Sequence, residues 1–100
     1  YEGGTMTRSL MSQVADTLLD IQGVQAAFVL ANSDTNETCI SARSSGAINV
    51  QAIMEKMHGG GHMTAAAMQR SKTNLKTVKA ELMNAIEEYR KEEDTNESDS

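Results

Sequence analysis

Four consecutive residues, Gly59-Gly60-Gly61-His62, are the strongest candidates for chemistry in this chain. Glycine gives up more backbone freedom on folding than any other residue, so three in a row within a folded segment need a compensating reason. One reason is close approach of the backbone to a ligand. Successive N–H groups unobstructed by Cβ atoms can converge as a concave nest on phosphate oxygens, and an imidazole directly after them can donate a hydrogen bond or stack on a base. The other reason is that the glycines only end a helix and turn the chain, with His62 solvated. Short glycine motifs alone do not decide between the two.

Arg43 is the next candidate, since a guanidinium at a strand end can grip a phosphate with two parallel hydrogen bonds; a surface arginine in an ordinary ion pair is the competing reading. Ser44 and Ser45 offer hydroxyl donors, although serines beside a glycine commonly serve turns. His58 and His62 stand four apart, a spacing that aligns two zinc ligands only on a helix, which the glycines between them oppose. Cys39 has no basic neighbour in sequence and reads as a buried, inert thiol. The seven methionines fall mostly on helical faces and read as core filler.

Elements of regular structure must position these groups. Leu10, Met11, Val14, Leu18 and Ile21 recur every three or four residues and predict a helix over 7–21, stopped by Gly23. Residues 24–31 (VQAAFVLA) are almost continuously apolar and predict a strand buried on both faces, with a turn at 32–36. Residues 38–43 alternate, Ile40 and Ala42 against Cys39, Ser41 and Arg43, and predict a second strand forming a hairpin with the first. Asn49 caps a short helix whose apolar positions are Val50, Ile53, Met54 and Met57. Residues 65–70 are read as a strand. Thr73 or Asn74 caps a last helix with Leu75, Val78, Leu82, Ile86 and Tyr89 on one face. The order α-β-β-α-β-α predicts an α/β fold, a small sheet layer covered by helices.

One hundred residues suit one compact domain. Residues 1–6 read as a linker or expression remnant, 7–90 as the folded domain and 91–100 as an acidic, disordered tail. The formal net charge is −5, but residues 1–90 carry eight basic against nine acidic side chains. The folded part therefore lacks the broad positive surface that duplex DNA or an anionic membrane requires. No segment approaches the roughly 20 apolar residues of a membrane span, and a lone cysteine suits a reducing cytoplasm.

The segment 40–67, ISARSSGAINVQAIMEKMHGGGHMTAAA, resembles the C-terminal DHH-associated subdomain of the DHH phosphoesterase family. The likeness extends over residues 7–89 and is nearest to the membrane-anchored cyclic-di-AMP phosphodiesterases with sensor and degenerate GGDEF domains upstream, whose pattern SARS-x-G-x-x-NV precedes GGGGH and alanines. Ser41-Ala42-Arg43-Ser44, Gly46, Asn49-Val50 and Gly59 to His62 match in order and spacing. Two positions depart: His58 stands for the first glycine, and Ala65 where an asparagine is common.

The resemblance implies that catalysis belongs to an upstream DHH subdomain, acting in cis, that holds two metal ions, usually Mn2+, and that this chain has no catalytic or metal-binding residue of its own. It implies that Gly59, Gly60, Gly61, His62, Arg43 and Ser44 bind substrate, a cyclic dinucleotide hydrolysed to pApA. It also implies a parent protein anchored in the bacterial membrane, with this domain on the cytoplasmic side and making no membrane contact; a homodimer is compatible with it. Relatives acting on short oligonucleotides or 3′-phosphoadenosine 5′-phosphate form a second reading. Aromatic residues to stack a longer strand are scarce here, Tyr1, Phe28 and Tyr89 only. A third reading is a non-catalytic module binding protein through its helices or acidic tail.

Overall fold

In the computed structural model, which describes residues 1–33 and 36–99, Thr7 turns its hydroxyl onto the Leu10 N–H at 3.1 Å and starts helix α1 (Arg8–Leu19). Strands β2 (Ala26–Asn32) and β3 (Glu37–Ser44) follow as the expected antiparallel hairpin, in register from Ala26↔Ser44 to Asn32↔Thr38. Asp34 and Thr35 of the predicted turn lie outside the described residues. Asn49 caps α2 (Val50–Glu55) through its Oδ1, which accepts the Ala52 N–H at 3.1 Å. A two-residue strand β4 (Gly60–Gly61), strand β5 (Ala65–Ser71) and helix α3 (Leu75–Asp99) complete the chain.

The five strands form one sheet in the order β1-β2-β3-β5-β4, where β1 (Glu2–Thr5) runs parallel to β2 and every other pair is antiparallel. Alternation along β2 and β3 sends side chains to two cores. Leu30, Ile40 and Ala42 face α2 and α3, packing with Val50, Ile53, Met54, Val78, Leu82 and Ala85. Val29, Ala31 and Cys39 face α1, packing with Met11 and Ala15. The result is a three-layer helix, sheet, helix sandwich, and β2 is buried on both faces as its composition predicts. Tyr89 joins layers at a distance: its hydroxyl oxygen accepts the Asn49 N–H at 2.9 Å, tying the last helix to the cap of α2.

Three expectations are corrected. Residues 2–5, read as part of a linker, form β1. Its pairing depends on β2, the N-terminal ammonium donates to the Phe28 carbonyl at 2.8 Å, and Lys79 of α3 pairs with Glu2 at 2.9 Å. Residues 91–99, read as disordered, continue α3. Lys91, Glu92 and Glu93 are good helix formers, and Lys56 at the C-cap of α2 holds Glu92 at 2.5 Å and Glu88 at 3.9 Å. The buried stripe of α1 is Met11, Val14, Ala15 and Leu18, whereas Leu10 and Ile21 are 45% and 55% exposed. Ala15, with its single methyl, lets the helix lie flat on the sheet where a larger residue would hold it off.

Candidate ligand site on the glycine hairpin

Helix α2 ends in a Schellman motif: the Gly59 N–H reaches the Met54 carbonyl at 2.8 Å and the His58 N–H reaches Glu55 at 3.1 Å. The motif needs a left-handed residue at the penultimate position, and His58 occupies it with φ 65°. The departure at this position therefore falls on a helix cap, where glycine would ordinarily stand. Arg70 of β5 steadies the same end. Its Nη2 donates to the Met57 carbonyl at 3.1 Å while Nη1 pairs with Glu81 of α3.

The glycines then fold back on β5 as a hairpin, with Gly60 opposite Ala67 and Gly61 opposite Ala66. His62 and Ala65 close it: the His62 N–H donates to the Ala65 carbonyl at 2.6 Å and the Ala65 N–H returns the bond at 3.3 Å. Met63 and Thr64 make the turn, and both of their carbonyls are occupied, by the Val50 N–H at 3.0 Å and the Ser44 N–H at 2.9 Å. The hairpin is thus clamped between the end of β3 and the start of α2.

This arrangement corrects the expected nest of successive amides. Gly59 spends its N–H on the helix cap and His62 spends its own on the hairpin. Since His62–Ala65 is a hydrogen-bonded pair, alternation makes Gly61–Ala66 a non-hydrogen-bonded one, so the Gly61 N–H points outward from the sheet edge and the Gly60 N–H points into the ladder.

The three glycines differ in why they are glycine. A Cβ on Gly59 would lie 2.4 Å from the Ala67 carbonyl oxygen and 2.6 Å from the Met68 Cβ. On Gly61, where φ is +145°, it would lie 2.5 Å from the Ala65 oxygen and from the Ala66 Cα. Both are needed for close backbone packing. A Cβ on Gly60 would meet nothing within 4 Å, and its φ lies outside the left-handed region. Nothing inside the chain requires a glycine there.

Register places the candidates on one face. Opposed residues share a side of a sheet, so His62, Ala65, Arg43 and Ala27 form one row across β4, β5, β3 and β2, and Gly60, Ala67, Ser41 and Val29 the next. Helix α1 covers the β2 and β3 half of this face; Ala67 and Gln69 of β5, on the other half, are exposed. The outcome is an open floor of methyl groups and glycine backbone, bordered by His62 and by Arg43 at the flank of α1.

Arg43 is 19% exposed and doubly held: Nε donates to Asp16 Oδ1 at 3.0 Å, and Nη1 donates to the Ala42 carbonyl at 2.9 Å. Ser44 stands apart from this row. Its buried Oγ accepts the Gly46 and Ile48 N–H groups at 3.0 and 3.3 Å, so it organises the loop leading to α2. Asp16 and Arg70 are the contributors that local sequence does not reveal, because their partners lie 27 residues and 11 or more residues away along the chain.

Among the described residues no group of three or more His, Cys, Asp or Glu side chains could hold a metal ion. His58 and His62 sit on either side of the glycine run, at the helix cap and at the hairpin closure, rather than on one helix. Burial holds the Cys39 thiol above its ordinary range despite the opposing charge of Arg8, in keeping with an inert core thiol. No helix among the described residues is long and apolar enough to cross a membrane.

The DHHA1 domain model matches residues 2–92. The chain is 51% identical over 87 residues to a membrane protein–large ribosomal subunit bL9 fusion protein of Aster yellows witches'-broom phytoplasma, a match over 86% of this chain and 10% of that protein. It is 48% identical over 80 residues to the cyclic-di-AMP phosphodiesterase GdpP of Bacillus subtilis, over 80% of this chain and 12% of that one. It is 45% identical over 84 residues to the cyclic-di-AMP phosphodiesterase PdeA of Listeria monocytogenes, over 84% and 13%. The chain thus spans about a tenth of the length of these relatives. A crystal structure of an exopolyphosphatase-related protein from Bacteroides fragilis shares the fold, with TM-score 0.66 at 21% identity over 88% of this chain and 29% of that one. Matched by that family model over residues 2–92, the chain belongs to the DHHA1 domain family.

Proposed function

We propose that this chain is the substrate-binding part of a metal-dependent phosphodiesterase that opens cyclic di-AMP to pApA. The observation that carries the reading is Gly60. It is a glycine without an internal reason, facing an open floor between Arg43 and His62, in a domain shared with cyclic-di-AMP phosphodiesterases.

A planar base or ribose can lie against Gly60, Ala65 and Ala67, since no side chain larger than a methyl rises there. The guanidinium of Arg43 supplies charge-assisted hydrogen bonds to a phosphate oxygen. The outward Gly61 N–H and the imidazole of His62 supply further donors at the edge. The contribution to catalysis is orientation: a phosphodiester held at fixed points presents its phosphorus in line to a nucleophile supplied from elsewhere. That elsewhere is an upstream DHH subdomain, whose Mn2+ ions would furnish the activated water; alone, this chain is expected to bind and not to hydrolyse.

The test is a titration of cyclic di-AMP into the isotope-labelled chain, followed through backbone amide shifts, with pApA and a short oligoadenylate as competitors. Saturable shifts at Gly60, Gly61, His62 and Arg43, weakened by His62→Ala, are the expected result. Tighter binding of the oligoadenylate would transfer the assignment to oligonucleotide substrates. A folded chain whose amides stay still at millimolar nucleotide would remove the binding reading and favour a protein-interaction module.

A further inference from the structure

Asp16 is unexplained by stability. Its carboxylate is 65% exposed and pairs across 27 residues with Arg43, and an ion pair so open to water contributes little to folding. Its place is more informative than its strength. The neighbouring Ala15 is fully buried, so α1 is pressed onto the sheet at this point and a one-methylene carboxylate suffices to meet the strand's guanidinium. Asp16 therefore stands at the border between the covered half of the sheet face and the bare half.

The contact uses one edge of the guanidinium. A guanidinium has five N–H donors in one plane; Asp16 takes the Nε–H and the Ala42 carbonyl takes one Nη1–H. Two anchors fix the plane of a rigid fork. The remaining three N–H groups are all on Nη1 and Nη2, and none has a protein partner among the described residues. An arginine otherwise loses its rotamer freedom when a ligand arrives; here much of that loss has already occurred.

We infer that Asp16 is a positioning residue, which sets the plane of Arg43 so that its Nη edge is presented, pre-oriented, to a phosphate of the bound dinucleotide. This rests on the ligand site proposed above. Asp16 itself makes no contact with the ligand, and its negative charge is tolerated because the carboxylate lies on the Nε side.

The test uses the full chain, with cyclic di-AMP titrated calorimetrically into wild type, Asp16→Ala, Asp16→Asn, Arg43→Ala and the Asp16→Ala/Arg43→Ala double variant, thermal midpoints confirming that each is folded. Asp16→Ala is expected to weaken binding roughly three- to tenfold. Asp16→Asn keeps an Oδ1 that accepts the same Nε–H, and is expected to stay within about twofold of wild type. The double variant is expected to bind no more weakly than Arg43→Ala. A protected Arg43 Nε–H resonance should be present in wild type and Asp16→Asn and lost in Asp16→Ala. If Asp16→Ala binds as tightly as wild type or tighter while Arg43→Ala weakens binding, the carboxylate only competes for the guanidinium and the inference fails with the site intact. Equal losses in Asp16→Asn and Asp16→Ala would overturn it too, charge rather than orientation being responsible. If wild type does not bind, or Arg43→Ala makes no difference, the underlying site reading fails and takes the inference with it.

Discussion

Alanine placed at each of the three glycines in turn should produce opposite outcomes. At position 59 the new methyl would lie 2.4 Å from a carbonyl oxygen and 2.6 Å from the Met68 Cβ, about 1 Å inside ordinary contact. The neighbours are the backbone and first side-chain carbon of a central-sheet strand, which cannot swing away. Forced overpacking of this kind costs about 1–3 kcal/mol or more, and for a domain near 100 residues each kcal/mol lowers the thermal midpoint by roughly 4–8 °C. Gly59→Ala is therefore expected to melt about 4–24 °C lower. Gly61→Ala should behave similarly, with the added strain of φ +145°. Gly60→Ala meets nothing within 4 Å, and by narrowing the unfolded ensemble it should gain about 0.4–1 kcal/mol. Its methyl would nevertheless occupy the floor proposed for the ligand, where a misfit of about 1–3 kcal/mol would weaken binding roughly 5- to 150-fold. Thermal denaturation and a cyclic di-AMP titration on the same three variants read both quantities. A Gly60→Ala chain that melts as low as Gly59→Ala would show an internal need for that glycine. One that is stable and binds nucleotide like wild type would refute the assignment of the floor.

Other consequences follow from the same geometry. His58→Gly relieves a left-handed residue at the α2 cap, and urea denaturation should show a gain of about 0.5–1 kcal/mol, a loss being incompatible with the Schellman reading. Tyr89→Phe leaves the half-buried Asn49 N–H without its acceptor, for an expected loss of about 1–2 kcal/mol in the same assay; an unchanged midpoint would mean that water replaces the hydroxyl at no cost. The Cys39 thiol, held protonated by burial, should react with a disulfide reagent only after denaturation. Because its folded pKa is raised, its contribution to stability is complete below the unfolded thiol value of about 8.5 and declines as pH rises above it. Denaturation midpoints measured from pH 7 to 10 should fall for wild type relative to Cys39→Ala, and parallel curves would contradict this.

Apolar patterning makes α1, β2, β3, α2 and α3 legible in the sequence, whereas the alanine run at 65–70 suits a helix as well and reads as a strand only because the glycines before it leave little room for another helix. β4 is illegible, since Gly60 and Gly61 have no side chains to alternate; it exists because Gly59 and Gly61 permit the chain to lie against β5. β1 is illegible because Glu2–Thr5 are polar or glycine and the strand is defined by its long-range partner β2. At the site, glycine spacing located the hairpin but could not tell Gly60 from its neighbours, a distinction that depends on what a Cβ would strike. Arg43 was visible as a charge at a strand end, while its tether to Asp16 required the placement of α1. Ser44 shows the limit of residue type as a guide, since its type alone does not reveal that its hydroxyl accepts the Gly46 and Ile48 N–H groups and organises the loop before α2.

The turn at Met63 and Thr64 gives up both carbonyls to the rest of the fold, to Val50 and Ser44. Those two amide protons are therefore reporters of the glycine hairpin: it cannot open without exposing them, and in hydrogen exchange they should go with the interior rather than with fraying surface segments. A hairpin that opens only with its core cannot act as a lid. Any closing movement around a ligand would have to come from whatever lies across the open floor, with this domain serving as the fixed jaw.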